Sequence, residues 1–279
     1  MSPTRCNVCF RHCEIGEGQY GFCGVRTCRD GIVVPENYGK VTALALDPIE
    51  KKPLRRFHPG SLVLSVGSFG CNMRCPFCQN SSISWSEEAM ALADRAEYIS
   101  PRELADTAKY YESKGNIGLA FTYNEPLVGY EFVRDTAKLV HEAGMKNAMV
   151  TNGMAAERVI SELVPVINAW NIDLKAATQE AYSVCGGRLK DVKRTIAVAS
   201  ERCHVEVTTL VIPGYNDSDE DLESIATFLA SVDPGIVWHV TRFFGRFQYA
   251  DRAATPLHTL ERARTIGLSH LQTVLVGNV

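Results

Sequence analysis

The sequence predicts an α/β fold, either a doubly wound sheet or a βα barrel, preceded by a small cysteine-rich N-terminal lobe. From residue 62 onward, short apolar or β-branched runs alternate with longer segments of helical period. Residues 1–60 instead carry turn signals, such as Gly16-Glu17-Gly18 and Pro59-Gly60, and no long helical period. We therefore expect a lobe over 1–60 and a barrel domain over 61–279.

Two helix starts and a set of apolar runs define the barrel elements in order. Ser100 and Pro101 supply a cap and a first-turn proline before one helix, and Asn216-Asp217-Ser218 precede another over 219–232. A closed βα barrel has eight strands. Because fewer strand-like runs are visible in this sequence, we predict a partial TIM-like barrel of about six parallel strands, with an open side. The runs typical of strands are 62–66, 117–122, 147–151, 169–174, 204–211, 236–242 and 271–276.

The composition is that of an ordinary globular protein and excludes several classes of function. The 279 residues are 46% apolar and 22% charged, which argues against disorder. A net charge of −3 gives no basic surface for nucleic acid or an anionic membrane. Neither a signal peptide nor a run of roughly 20 apolar residues is visible, so we expect a cytoplasmic protein. Its cysteines are then expected to bind metal, because the cytosol keeps thiols reduced.

Three cysteines directly follow the first barrel strand, in the segment Cys71-Asn72-Met73-Arg74-Cys75-Pro76-Phe77-Cys78. A structural 4Fe–4S cluster normally has four cysteine ligands, so Cys71, Cys75 and Cys78 suit a cluster with one open iron. Zinc, an ordinary cluster or free thiols are the alternatives for these three positions.

A set of candidate site residues, all polar except Ile212, lies where later strands end, which is where βα barrels place their chemistry. Each has a structural alternative: Glu125 as a first-turn carboxylate, Asp173 and Lys175 as an ion pair, and His239 as a structural histidine. Along the last of these strands His239 and Thr241 share one face, and we expect that face to be the interior. The strand-end candidates are Asn124, Glu125, Asn152, Asp173, Lys175, Ile212 and His239.

The spacing Cys-x3-Cys-x2-Cys, with Phe77 before the third cysteine, resembles the signature of the radical S-adenosylmethionine (SAM) enzymes. The resemblance implies that SAM binds the open iron. The reduced cluster then cleaves SAM to methionine and a 5′-deoxyadenosyl radical that abstracts hydrogen from a substrate. It also implies that Phe77 and Ile212 pack near adenine, Glu125 and its neighbour Asn124 lie at the ammonium, and His239 contacts the ribose. Lys175, in the segment Asp173-Leu174-Lys175, and Asn152 would approach the carboxylate.

Further motifs narrow the resemblance. The segments Asp47-Pro48-Ile49-Glu50-Lys51-Lys52-Pro53-Leu54 and Phe57-His58-Pro59-Gly60-Ser61 resemble the radical enzyme of the AmmeMemoRadiSam group, relatives of the pyruvate formate-lyase activating enzymes. This implies an oxidoreductase that takes electrons from a flavodoxin or ferredoxin. Its substrate would be a protein converted to a glycyl radical, or alternatively a small molecule or another residue. A non-catalytic iron–sulfur or zinc protein is the alternative from another class.

A second cysteine set, Cys6-x2-Cys9-x3-Cys13-x9-Cys23, lies in the N-terminal lobe. Four thiolates can close a tetrahedral Zn²⁺ site or bind a second 4Fe–4S cluster, and His12 or Cys28 could replace one of the four ligands. We favour zinc, because so small a lobe needs a staple. Unligated thiols are the remaining alternative.

Overall fold

The computed structural model describes residues 2–279, and its elements follow the predicted alternation. The helices, in chain order, are α1 Ser81–Ser84, α2 Glu87–Ala91, α3 Pro101–Tyr110, α4 Tyr130–Glu142, α5 Glu157–Leu163, α6 Gln179–Val184, α7 Leu189–Ser200, α8 Asp219–Val232 and α9 Leu257–Leu268. The strands are β1 Thr4–Arg5, β2 Glu14–Ile15, β3 Arg26–Arg29, β4 Ile32–Pro35, β5 Lys40–Val41, β6 Ala43–Pro48, β7 Leu62–Gly67, β8 Glu97–Tyr98, β9 Asn116–Phe121, β10 Lys146–Thr151, β11 Ala169–Asp173, β12 His204–Val211, β13 Val237–Arg242 and β14 Val274–Gly277.

The central sheet has eight strands in the order β14-β13-β12-β11-β10-β9-β7-β6. Strands β7 and β9 to β14 run parallel to their neighbours, and β6 pairs antiparallel with β7. The two edge strands, β6 and β14, are not paired with each other, so the barrel is open. The expected partial βα barrel is confirmed.

Strand β6 is the one strand of the central sheet that sequence reasoning missed. It pairs along its whole length with β7, from Ala43 opposite Gly67 to Pro48 opposite Leu62. The sheet therefore begins before residue 60, where we divided the chain; that division stays a prediction.

The two faces of the parallel strands carry different side chains. Outward residues such as Phe121, Met149 and Trp238 belong to the large core shared with the helices. On the inner face, the small residues Ala120, Ala148 and Ala169 leave room for other groups. Two fully buried side chains of the segment 47–60, Ile49 and Leu54, pack against these alanines. This segment thus fills one end of the barrel.

Local sequence signals account for the helix starts. The Ser100 hydroxyl accepts a hydrogen bond from the Glu103 N–H (3.2 Å), and the Glu103 carboxylate accepts one from the Ser100 N–H (2.8 Å). This capping box and Pro101 start α3. Ser218 caps α8 more simply, since its hydroxyl accepts a hydrogen bond from the Asp221 N–H (3.1 Å). Both predicted helix starts are confirmed.

The N-terminal lobe consists of two short hairpins, β1–β2 and β3–β4. It is joined to the barrel by Arg26 of β3, which is buried. The Arg26 guanidinium donates to both carboxylate oxygens of Glu131 in α4 (2.7 and 2.6 Å) and to the Val128 carbonyl (2.7 Å). The lobe is therefore docked at the end of the barrel where the strands terminate.

Candidate active site

The loop that leaves β7 carries Cys71, Cys75 and Cys78, and all three are free thiols. Gly70 makes the turn before them with φ +97°, and a Cβ there would lie 2.5 Å from the Val25 side chain. Only glycine fits both this backbone conformation and this close approach. The Met73 N–H donates to the Cys71 sulfur (3.4 Å), so the loop already turns a backbone donor toward a ligand sulfur.

The three thiols are partly or fully shielded from solvent. Cys75 is buried, while Cys71 and Cys78 are half-buried. Burial raises the pKa of Cys71 to about 12, and the nearby Glu125 carboxylate adds to this. A buried thiol gives up its proton when a metal ion is present to compensate the thiolate charge.

The arrangement fits a polynuclear cluster better than a single ion. Within residues 2–279, no three His, Cys, Asp or Glu side chains converge closely enough to hold one metal ion. In a 4Fe–4S cluster each thiolate takes its own iron, so the sulfurs need not meet at one point. Three thiols on one loop, with Lys175 lowering the pKa of two of them by its charge, suit such a cluster.

Glu125 lies beside this loop, at the C-terminal end of β9. Its carboxylate accepts hydrogen bonds from the Thr151 hydroxyl (2.6 Å) and from the Asn152 and Leu127 N–H groups (2.7 and 3.0 Å). Burial has the largest effect and raises the pKa of Glu125 to about 7, although these hydrogen bonds lower it. The carboxylate is thus held in place by neutral hydrogen-bond donors, and no cationic side chain is paired with it.

Two asparagines tie the strand ends to the cysteine loop. The Asn124 amide accepts from the Ser68 N–H (3.0 Å) and donates to the Phe69 carbonyl (3.0 Å). The Asn152 amide donates to the Asn72 side-chain oxygen (2.8 Å), and its Nδ2 lies 3.8 Å from the Cys71 sulfur. Of the two, Asn124 serves to position the loop and Asn152 contacts a ligand sulfur.

Lys175 and Asp173 form an ion pair at the end of β11, with Nζ 2.8 Å from Oδ2. Burial would lower the pKa of Lys175, but the charges of Asp173 and Cys75 outweigh it and raise the pKa well above its ordinary value. Lys175 is therefore a permanent positive charge beside the cysteine loop.

Apolar residues form another wall. The Phe77 ring is buried and lies 5.5 Å from the Tyr215 ring and 5.9 Å from the Tyr249 ring. Ile212, after β12, is fully buried, and its N–H donates to the Asn216 side chain (2.7 Å). A flat aromatic group is the kind of ligand that such surfaces accept.

His239 is placed differently from the other candidates. It is buried on the inner face of β13, and its Nε2 lies 2.5 Å from Glu206 Oε2. His204 contacts the other oxygen of the same carboxylate (2.8 Å), and the Arg55 and Arg56 N–H groups donate to it as well. The His239 ring thus already has a hydrogen-bond partner, Glu206, within the barrel. Its contact with a ribose stays a prediction.

Two groups beside the site were not among the predicted site residues. Cys185 is fully buried, its sulfur lies 3.5 Å from the Tyr215 hydroxyl, and it lies near enough to Cys75 to raise the pKa of that thiol. Inside the barrel, Asp47 accepts from Lys52 (2.9 Å) and from the Tyr123 hydroxyl (3.0 Å). Tyr123 has φ +72°, an unusual value for a tyrosine. The sequence marks Asp47 and Lys52 as part of the motif 47–54, without a role of their own.

The comparisons with known proteins agree with the fold and the cysteine loop. The model of the Radical SAM superfamily matches residues 65–229, which include the three cysteines. The chain belongs to the radical SAM superfamily. Membership implies a 4Fe–4S cluster, SAM and an external electron donor.

Relatives in sequence include an uncharacterized protein of Methanocaldococcus jannaschii, 39% identical over all of this chain and 82% of its own length. The pyruvate formate-lyase 1-activating enzyme of Escherichia coli is 24% identical over 57% of this chain and 65% of its own length. The benzylsuccinate synthase activating enzyme of Thauera aromatica is 25% identical over 67% of this chain and 56% of its own. The chain is thus homologous to activating enzymes of this kind.

Solved structures support the same fold. A domain of the pyruvate-formate lyase-activating enzyme from Bacteroides vulgatus has a TM-score of 0.51 over 57% of this chain and 98% of that domain, at 20% identity. Streptococcus suis SuiB bound to S-adenosylmethionine has a TM-score of 0.58 over 77% of this chain and 51% of SuiB, at 12% identity. No helix within residues 2–279 is long and apolar enough to cross a membrane.

Proposed function

We propose that this chain is a radical SAM oxidoreductase of the activating-enzyme type, which abstracts a hydrogen atom from the Cα of a glycine residue in a partner protein. The observation that carries the proposal is the convergence of Glu125, Asn152 and Lys175 on the loop of Cys71, Cys75 and Cys78. A protein that merely carries a metal needs no such set of charged and polar groups at the strand ends.

Different residues of the chain would bind the cluster and the separate parts of SAM. Cys71, Cys75 and Cys78 would hold the 4Fe–4S cluster. Glu125 is a buried carboxylate suited to the ammonium of SAM, and Lys175 and Asn152 would bind its carboxylate. The apolar wall of Phe77 and Ile212 would hold adenine, with His239 toward the ribose. When bound, cluster and SAM together supply a 5′-deoxyadenosyl radical.

The barrel keeps water and side reactions from the radical chemistry, the usual contribution of a protein to cofactor chemistry. The open edge between β6 and β14 supports a large substrate, because a closed barrel would exclude a polypeptide. The similarity to activating enzymes supports the same substrate class.

Cleavage of SAM tests the first half of the proposal. After anaerobic reconstitution with iron and sulfide and reduction by dithionite, we expect 5′-deoxyadenosine from the unmodified chain and none above background from Cys75→Ala. Cys203→Ala is the matched control, because Cys203 is half-buried and its thiol donates to the Ile167 carbonyl (3.2 Å). A normal rate for Cys75→Ala would refute the ligand assignment.

The substrate is tested separately. With the true partner protein, the reaction should leave the doublet of a glycyl radical in an electron paramagnetic resonance (EPR) spectrum. Cleavage of SAM without a doublet, for every candidate partner, would instead favour a small molecule or another residue as substrate. A reduced, cluster-loaded chain that does not cleave SAM would favour the binding-protein alternative.

A further inference from the structure

The cysteines of the N-terminal lobe come together in space, although the cofactor site described above does not use them. Cys6, Cys9, Cys13 and Cys23 line one cavity together with Arg11, Arg26 and Asn72. All four are free thiols; Cys6, Cys9 and Cys23 are buried and Cys13 is half-buried. Cys28, the other cysteine of the lobe, does not line this cavity.

A backbone donor already points at one of these sulfurs. The Phe22 N–H donates to the Cys13 sulfur (3.5 Å). Hydrogen bonds from backbone N–H groups to cysteine sulfurs are a regular feature of iron–sulfur sites. The loops are thus shaped to hold thiolates.

A zinc ion and a cluster make different demands on the four sulfurs. With Zn–S distances of about 2.3 Å, four thiolates must converge on one point to bind zinc. Among residues 2–279 no three potential ligand side chains do so, and the structure therefore shows no zinc site at these cysteines. Four cysteines that line one cavity can instead bind a cluster, in which each sulfur binds a different iron.

Charge points the same way. Four thiolates around a 4Fe–4S core leave a net negative charge, and Arg11 and Arg26 line the cavity. The charge of Arg26 is already paired with Glu131, so Arg11 is the cation that remains for the cluster. Arg11 also lies 3.4 Å from the centre of the Phe22 ring and donates to the Asn72 carbonyl (2.8 Å). The positive charge of Arg11 is therefore held beside the thiols by its contacts with Phe22 and Asn72.

This cavity adjoins the cysteine loop of the barrel. The Cys71 N–H donates to the Cys23 carbonyl (3.2 Å), so one cysteine of each set is joined by a single backbone hydrogen bond. Asn72, the next residue, lines the N-terminal cavity and accepts a hydrogen bond from Asn152. Arg74 donates to the Phe22 carbonyl (2.6 Å).

We propose that Cys6, Cys9, Cys13 and Cys23 are the ligands of a second 4Fe–4S cluster, bound next to the cluster of the barrel loop. It has no open iron, because all four positions have a cysteine ligand, and so it does not bind SAM. The proposal does not depend on the substrate of the enzyme or on cleavage of SAM.

Metal content is the direct test. After anaerobic reconstitution of the full chain, we expect about eight irons per chain, and about four in the triple variant Cys71→Ala/Cys75→Ala/Cys78→Ala. The double variant Cys9→Ala/Cys23→Ala should also lose about four. Cys28→Ala, at a buried cysteine of the same lobe, is the matched control and should keep about eight.

Spectroscopy gives a second readout. The reduced triple variant should show the EPR signal of a 4Fe–4S cluster that is unchanged by SAM. In the unmodified chain, two reduced clusters on contacting loops should interact magnetically and broaden the EPR signal. The triple variant and the double variant Cys9→Ala/Cys23→Ala each keep one cluster, so each should give the narrower signal of a single cluster.

Three results would overturn the proposal: a triple variant without iron, a chain that takes up about one zinc at the lobe, or unchanged iron in Cys9→Ala/Cys23→Ala. Should a multiple variant fail to fold, the single variant Cys13→Ala, at the half-buried edge of the cavity, serves instead, because alanine offers no ligand atom. Its iron content should fall toward about four, and a value that stays at about eight would refute the assignment.

Discussion

Glu206 shows how a single buried carboxylate organises the inside of the barrel. It has no exposed surface, and it accepts hydrogen bonds from His204, His239 and the Arg55 and Arg56 N–H groups. Burial alone would raise the pKa of Glu206, but the hydrogen bonds from the two histidines outweigh it and hold the pKa at about 2. The carboxylate therefore stabilises the fold in its charged form.

The acid stability of the protein should depend on this residue. The pKa of Glu206 is lower in the folded chain than the value of about 4.3 in an unfolded one. Its stabilisation is therefore complete above pH ~4.3 and is lost as the pH falls toward about 2. Glu206→Gln should lower the free energy of unfolding by about 2–4 kcal/mol at pH 7 and flatten its fall in acid.

Urea unfolding between pH 3 and pH 7 measures this effect. Glu223→Gln is the matched control, because Glu223 also contacts a histidine, His270, but is half exposed. We expect a change below about 1 kcal/mol for the control. An equal effect of both substitutions would contradict the role given to Glu206.

At the scale of elements, the segment 47–60 matters most. It closes one end of the barrel with Ile49 and Leu54, and the Pro53 carbonyl accepts a hydrogen bond from Asn171 of β11 (2.9 Å). Asp47 and Lys52 of the same segment meet Tyr123 inside the barrel. A chain segment without long regular structure thus supplies part of the barrel interior.

Leu54→Ala should be strongly destabilising. Leu54 has no exposed surface and packs against the alanines of β9, β10 and β11, which cannot expand to fill a void. We expect a loss of about 2–5 kcal/mol in the free energy of unfolding. Leu44→Ala is the control on the adjoining strand β6, because Leu44 is 41% exposed. Similar losses at both positions would show that the segment does not fill the barrel.

At the scale of the molecule, one ion pair joins the lobe to the barrel. Arg26 is 3% exposed, and its partner Glu131 lies at the start of α4. The lobe and the barrel also meet at the hydrogen bond between Cys71 and Cys23. Docking of the lobe therefore fixes the position of the cysteine loop.

Arg26→Met should loosen this docking, because it leaves Glu131 without its partner. We expect a loss of about 1.5–3 kcal/mol, the usual worth of a hydrogen bond to a charged group, because Glu131 is 22% exposed and stays partly solvated. We also expect faster cleavage of the lobe in limited proteolysis. Arg29→Met is the control on the same strand, since Arg29 is 61% exposed and pairs with Glu36. Equal proteolysis of the two variants would contradict this view of the interface.

Most of the barrel could be predicted from the sequence. The β-branched and apolar runs located the strands β7 and β9 to β14 closely, because buried parallel strands leave a strong local pattern. The caps Ser100 and Ser218 located two helix starts for the same reason, since a cap acts within three residues. The cysteine spacing predicted the radical SAM class, because all three cysteines lie on one loop.

The remaining features depend on residues far apart in the chain. Strand β6, the pairing of His239 with Glu206 and the contact of Cys185 with Cys75 join elements that share no local pattern. The same holds for the cavity of Cys6, Cys9, Cys13 and Cys23 and its contact with Cys71. Local propensity and spacing act over a few residues, whereas these contacts arise only when packing of the whole chain brings distant segments together.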